Sequence, residues 1–66
     1  MSREGSFLVY CMERYRRAKR LSGRDVAALF RSHGIYDHVI RFYEALHTMS
    51  DALIVEDIDA AIARAR

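Results

Sequence analysis

The chain is 66 residues long, 52% hydrophobic and 30% charged, with a formal net charge of +2, no proline, three glycines and one cysteine. That length leaves room for one hydrophobic core and no linker, and a core so small holds only a modest margin over chain entropy. A single cysteine excludes an internal disulfide and three scattered histidines make a poor metal site, so association with another molecule is the remaining source of extra stability.

Phe7, Leu8, Cys11, Met12, Tyr15 and Ala18 recur at i, i+4, i+7 and i+8, which predicts a helix from Phe7 to Leu21. Its other face carries Glu13, Arg14, Arg16, Arg17, Lys19 and Arg20, cations that the macrodipole favours toward a helix C-terminus. Ser22 followed by Asp25 resembles a capping box, and Val26, Leu29, Phe30 and His33 continue at helical spacing, so a second helix spans Ser22 to His33. Gly34 stands where a left-handed C-terminal cap is wanted. Tyr36, Val39, Ile40, Tyr43 and Leu46, with Phe42 widening the stripe, predict a third helix from Tyr36 to His47. Thr48-Met49-Ser50-Asp51 breaks the pattern, and Ala52 to Val55 reads either as extended or as a loose turn. Glu56, Asp57 and Asp59 open a short, Ala-rich fourth helix carried by Ile58, Ala61, Ile62 and Ala65, where negative charge opposes the positive end of the dipole.

The expected fold is therefore all-α: a single domain over residues 1–66, a compact bundle of four short helices, with a short extended segment allowed before the last. Its core is expected to contain Leu8, Cys11, Met12, Tyr15, Val26, Leu29, Phe30, Val39, Ile40, Tyr43, Leu46, Ile58 and Ile62. The apolar run from Phe7 to Met12 is far too short to span a membrane or to serve as a signal segment, so no membrane partner and a cytoplasmic location are expected, in keeping with a free cysteine.

Charge is uneven along the chain, with eight Lys or Arg against three Asp or Glu in residues 1–36 and three against six in residues 37–66. The basic cluster of the first helix, Arg14 and Arg17 in particular, reads first as a solvated face, then as a contact for a protein partner, and last as a contact for nucleic acid, because it lacks the interleaved aromatics and glycines of a single-strand platform. A helix-turn-helix is disfavoured. The position four before the turn glycine, where the motif wants a small residue, is Phe30, and the would-be reading helix carries Asp37 and Glu44, which phosphate repels.

Catalysis finds no residues to carry it. Cys11 lies in the apolar stripe with no histidine near it in sequence, His33 and His38 are five apart and do not share a helical face, and Glu56, Asp57 and Asp59 lack the alternation and glycine bend of a calcium loop. No catalytic residue, metal or cofactor is expected, and the protein is read as a non-enzyme. Tyr10 and Phe42 lie off the main stripes and are the candidate aromatic anchors for a partner.

Taken together, Phe7 to Glu13 with Tyr15, Leu21-Ser22-Gly23, Leu29-Phe30, Gly34-Ile35, Phe42-Tyr43-Glu44 with Leu46-His47-Thr48, and Asp57-Ile58-Asp59 resemble a small bacterial family catalogued as domain of unknown function 3791. The resemblance covers nearly the whole chain. It implies a short protein without assigned activity, often encoded beside a larger protein that looks like an ADP-ribosyltransferase, and hence an antitoxin-like partner of that neighbour. If the family shares a binding feature, His47, Thr48, Asp57 and Asp59 are the polar residues to carry it. Their plainer role is structural, with His47 or Thr48 tying freed backbone groups at the end of the third helix. The functional expectation is a protein-binding module that engages its neighbour or self-associates; the alternative is a small DNA-binding regulator using the basic face of the first helix.

Overall fold

The computed structural model describes residues 2–65, in which every regular element is a helix: α1 (Arg3–Lys19), α2 (Gly23–Ser32), α3 (Ile35–Arg41), α4 (Tyr43–Leu46) and α5 (Asp51–Arg64). Three of the helices start on a serine. Ser2 Oγ accepts from the Gly5 N–H at 2.9 Å, Ser22 Oγ from Asp25 at 3.0 Å and Ser50 Oγ from Leu53 at 3.3 Å, each satisfying a donor that the first helical turn leaves free. The end of α1 is closed by Arg20 in the left-handed region at φ 56°, where the Leu21 N–H reaches Arg16 O at 2.9 Å and the Arg20 N–H reaches Arg17 O at 3.3 Å. Gly34, at φ 67°, fills the expected left-handed position between α2 and α3.

The core is built from Cys11 and Tyr15 of α1, Val26 and Phe30 of α2, Ile35 and Val39 of α3, Leu46 of α4, and Ile54, Ile58 and Ala61 of α5. Phe30 is fully buried, its ring 5.8 Å from that of Tyr15 and 5.9 Å from that of Tyr36 in an edge-to-face arrangement. Helices α1 and α3 form the hub, each packing against α2 and α5 and against each other. The described chain measures 24 × 23 × 20 Å.

Four expectations are corrected. The segment Ala52 to Val55 is neither extended nor a turn, because Ser50 caps a helix that already begins at Asp51, and Ile54 and Val55 face inward on it. Glu56, Asp57 and Asp59 consequently lie inside α5 and not at its start, so their role is not to oppose the helix dipole. The third helix is interrupted at Phe42, whose φ of −105° and ψ of 24° end α3; its carbonyl then accepts from Ala45 and Leu46 to start α4, and Leu46 turns into the core while Phe42 remains outside. Ile40 is 42% exposed, since the buried arc of the seven-residue α3 is only Ile35 and Val39.

Replacing Ile54, which is 1% exposed, with alanine is expected to cost about 2–5 kcal/mol of unfolding free energy in denaturant titrations, and Ile40→Ala under about 1 kcal/mol. Equal losses would contradict this assignment of the core.

Candidate functional site

Helix α1 is tied to α5 by two clamps of the same design. In each, a tyrosine of α1 donates its hydroxyl to an aspartate of α5, and a cation four residues after that tyrosine pairs with the same carboxylate. Tyr10 donates to Asp51 Oδ1, while Arg14 Nε lies 3.4 Å from Asp51 Oδ2 and its guanidinium carbon 5.0 Å from the centre of the Tyr10 ring. Tyr15 donates to Asp59 Oδ1 at 2.6 Å, and Lys19 Nζ lies 2.7 Å from Asp59 Oδ2.

The electrostatics follow from this geometry. The hydrogen bond to Asp51 holds the Tyr10 phenol above its ordinary value. Burial, and then the Asp59 hydrogen bond, does the same for Tyr15. Burial works to raise the Asp59 carboxyl, but hydrogen bonds from Lys19 and Tyr15 outweigh it and keep the group below the ordinary aspartate value. Glu13, half-buried on α1, accepts from Arg16 at 2.6 Å and from Arg17 at 3.0 Å, and these hydrogen bonds hold it down at about 2. Cys11 is wholly buried, and burial followed by the charges of Asp51 and Asp57 pushes its thiol up to about 12, which leaves almost no thiolate for nucleophilic work at neutral pH.

A different kind of surface lies where α3 and α4 meet α5. Two adjoining depressions, of about 240 and 200 Å³, share His38, Phe42 and Arg64 in their walls. The larger continues over His33, Gly34, Asp37 and Arg41; the smaller over Ala45, Leu46, Met49 and Asp57. Phe42 is 48% exposed and Met49 37%; Leu53, 51% exposed, lies one helical turn before Asp57 on α5, outside the lining of either depression. His38 anchors the floor, with Nε2 2.7 Å from Asp57 Oδ2 and its ring 5.0 Å from that of Phe42.

The residues expected from sequence to bind a partner do not form one site. Phe42 and Asp57 line the smaller depression together. Tyr10 and Arg14 belong to one clamp and Asp59 to the other, while Arg17 pairs with Glu13. His47 Nδ1 lies 2.9 Å from Tyr43 O with its ring stacked 4.7 Å from that of Tyr43, and Thr48 Oγ1 donates to Ala45 O at 2.9 Å, so both secure carbonyls at the end of α4. The groove also draws on His38, Arg41, Met49 and Arg64, which the sequence pattern does not single out as partner contacts. The four-residue spacing of His38 and Phe42, at the end of α3, is a signal that could have found His38; Arg41, Met49 and Arg64 carry none. His33 and His38, which do not share a helical face, line the same depression because the Gly34 turn bends the chain between them. Among the described residues no group of three His, Cys, Asp or Glu could hold a metal ion, and no helix is long and apolar enough to cross a membrane.

The clamp at Asp59 generates a pH prediction. A carboxyl depressed in the folded state stabilises above its unfolded value, and that contribution is lost as pH falls through the folded value. Asp59→Asn is expected to cost about 0.5–1 kcal/mol at pH 7, because the carboxylate is partly exposed, and the gap between variant and parent melting temperatures should close as pH falls from the ordinary aspartate value through the depressed folded one. A gap independent of pH would contradict the ionic role.

Residues 6–64 match the family described as Protein of unknown function (DUF3791). No curated protein and no solved structure matches the chain.

Proposed function

The chain belongs to the DUF3791 family, and from that premise we propose that it is a non-catalytic, cytoplasmic protein-binding module whose docking face is the groove between α3–α4 and α5. The observation that carries this reading is the meeting of exposed Phe42 and Met49 with buried Leu46 in the wall of the smaller depression. Exposed apolar side chains scattered singly need no explanation, whereas several gathered about a concavity on so small a molecule mark an interaction surface. Each depression is smaller than the roughly 300–1,000 Å³ of a small-molecule site and suits a protruding side chain. The partner suggested by the family resemblance is the larger, ADP-ribosyltransferase-like neighbour, which the module would occlude in the manner of an antitoxin.

One observation favours the second reading, a DNA-binding regulator, in an altered form. Arg14, Arg16, Arg17 and Lys19 are each taken up by a carboxylate of the chain itself, but Arg20, Arg24 and Arg31 are exposed and form no ion pair among the described residues. Nucleic acid would then meet the end of α1 and the outer face of α2. Salt separates the two readings: six to ten phosphate contacts lose about 10³–10⁵ in affinity between 50 and 200 mM salt, whereas an apolar interface loses little.

Co-purification of the tagged chain with its gene neighbour is the test. A complex that survives moderate salt, is weakened at least about tenfold by Phe42→Asp and is unchanged by Arg20→Gln is expected. Failure to capture the neighbour, with nucleic acid eluting instead and released by salt, would replace this reading with the second.

A further inference from the structure

We propose that the groove takes an amphipathic helix of the partner protein, with an apolar side chain seated against Phe42, Leu46 and Met49 and an acidic side chain about one turn away held by Arg41 and Arg64. The inference rests on the docking reading above and adds the chemistry of the partner.

Charge points to the acidic residue. The cations of α1 from Arg14 to Lys19 are spent within the chain: Arg14 on Asp51, Lys19 on Asp59, and Arg16 with Arg17 on Glu13. Arg41 and Arg64, brought to one depression from α3 and α5, make no ion pair among the described residues. Asp37 is the one carboxylate in the wall of that depression, since Asp57 lies in the neighbouring one and is engaged by His38. Two guanidiniums against one carboxylate leave the depression with an excess of positive charge, and a guanidinium takes a carboxylate through two parallel hydrogen bonds.

The neighbouring depression points to the apolar residue. It is walled by Phe42, Ala45, Leu46 and Met49, and it meets the charged depression at His38, Phe42 and Arg64. Acidic and apolar groups would therefore enter side by side, which is how residues three or four apart stand on a helix, with about 5–6 Å between their Cβ atoms. The walls supply the argument for a helix. They come from α3, α4, α5 and the turns between them, and no strand lies among the described residues, so an extended segment would find no sheet edge to pair with, while a helix brings its own backbone bonds satisfied.

The test titrates the full chain with three dye-labelled, helix-favouring peptides that share one Leu pair at i, i+4 and differ at a single position one turn away, carrying Glu, Gln or Lys. The Glu peptide is expected to bind about fivefold more tightly than the Gln peptide, with Lys weakest, in low-salt fluorescence anisotropy. The preference should vanish in the Arg41→Gln/Arg64→Gln double variant, whose melting temperature and circular dichroism are expected to match the parent, and Phe42→Asp should weaken all three peptides. Equal affinities for the three, binding by none, or a Glu preference that survives the double arginine change would overturn the proposal. So would a short DNA duplex, or a second copy of the chain detected by light scattering, that depends on Arg41 and Arg64 while the peptides do not bind. If the neighbour is captured through Phe42 but the Glu preference is absent, docking stands and the acidic helix falls. If the Glu preference is present but the neighbour is not captured, the acidic helix stands and the neighbour is excluded as its source.

Discussion

The register between α1 and α5 is the constraint on which the rest of the molecule depends. Tyr10 meets Asp51 and Tyr15 meets Asp59, so both helices advance in the same direction along their shared seam. Two helices that run parallel cannot be joined by a tight turn. The chain must travel back from the end of α1 before α5 can begin, and α2, α3 and α4 are that return path. The energy of holding the pair together comes from elsewhere: partly exposed ion pairs are worth about 0–1 kcal/mol, whereas burying one aliphatic or aromatic side chain is worth about 1.5–3 kcal/mol. Cys11, Tyr15, Ile54 and Ile58 thus supply the adhesion, and the two clamps select which register that adhesion adopts.

This division of labour decides what the surface can offer. Residues that look like a binding set in one dimension are drawn into internal ties, with Arg14 and Asp59 on the seam, Arg17 on Glu13, and His47 and Thr48 on carbonyls at the end of α4. The break at Phe42 has the opposite effect. By ending α3 early it lets Leu46 complete the core and leaves the Phe42 ring at the mouth of a groove, beside Met49 and Arg64. The groove is a by-product of how the return path closes.

The α1 stripe, the Ser22 cap, Gly34 and most core positions are legible in the sequence because local periodicity and capping chemistry dictate them. Ile54 is not, because Ala-Leu-Ile-Val is a short apolar run whose branched residues suit a strand as well as a helix; only the Ser50 cap, hidden among turn-forming neighbours, decides the matter. Ile40 departs from its expected burial for a related reason, since periodicity marks a face without saying how wide an arc the neighbouring helices will cover. Within the candidate site, Phe42 is legible as an aromatic off the main stripe. Arg41 and Arg64, separated by more than twenty residues, become neighbours only through tertiary packing.

The measurement that bears most directly on the central claim is the amide chemical-shift footprint of the labelled chain when its gene neighbour is added. Shifts concentrated at His38 to Met49 and at the face of α5 carrying Leu53, Asp57 and Arg64, with the Tyr10 and Tyr15 clamps undisturbed, are the expected result. A footprint centred on α1 and the outer face of α2, with the groove silent, would contradict the assignment of the docking face.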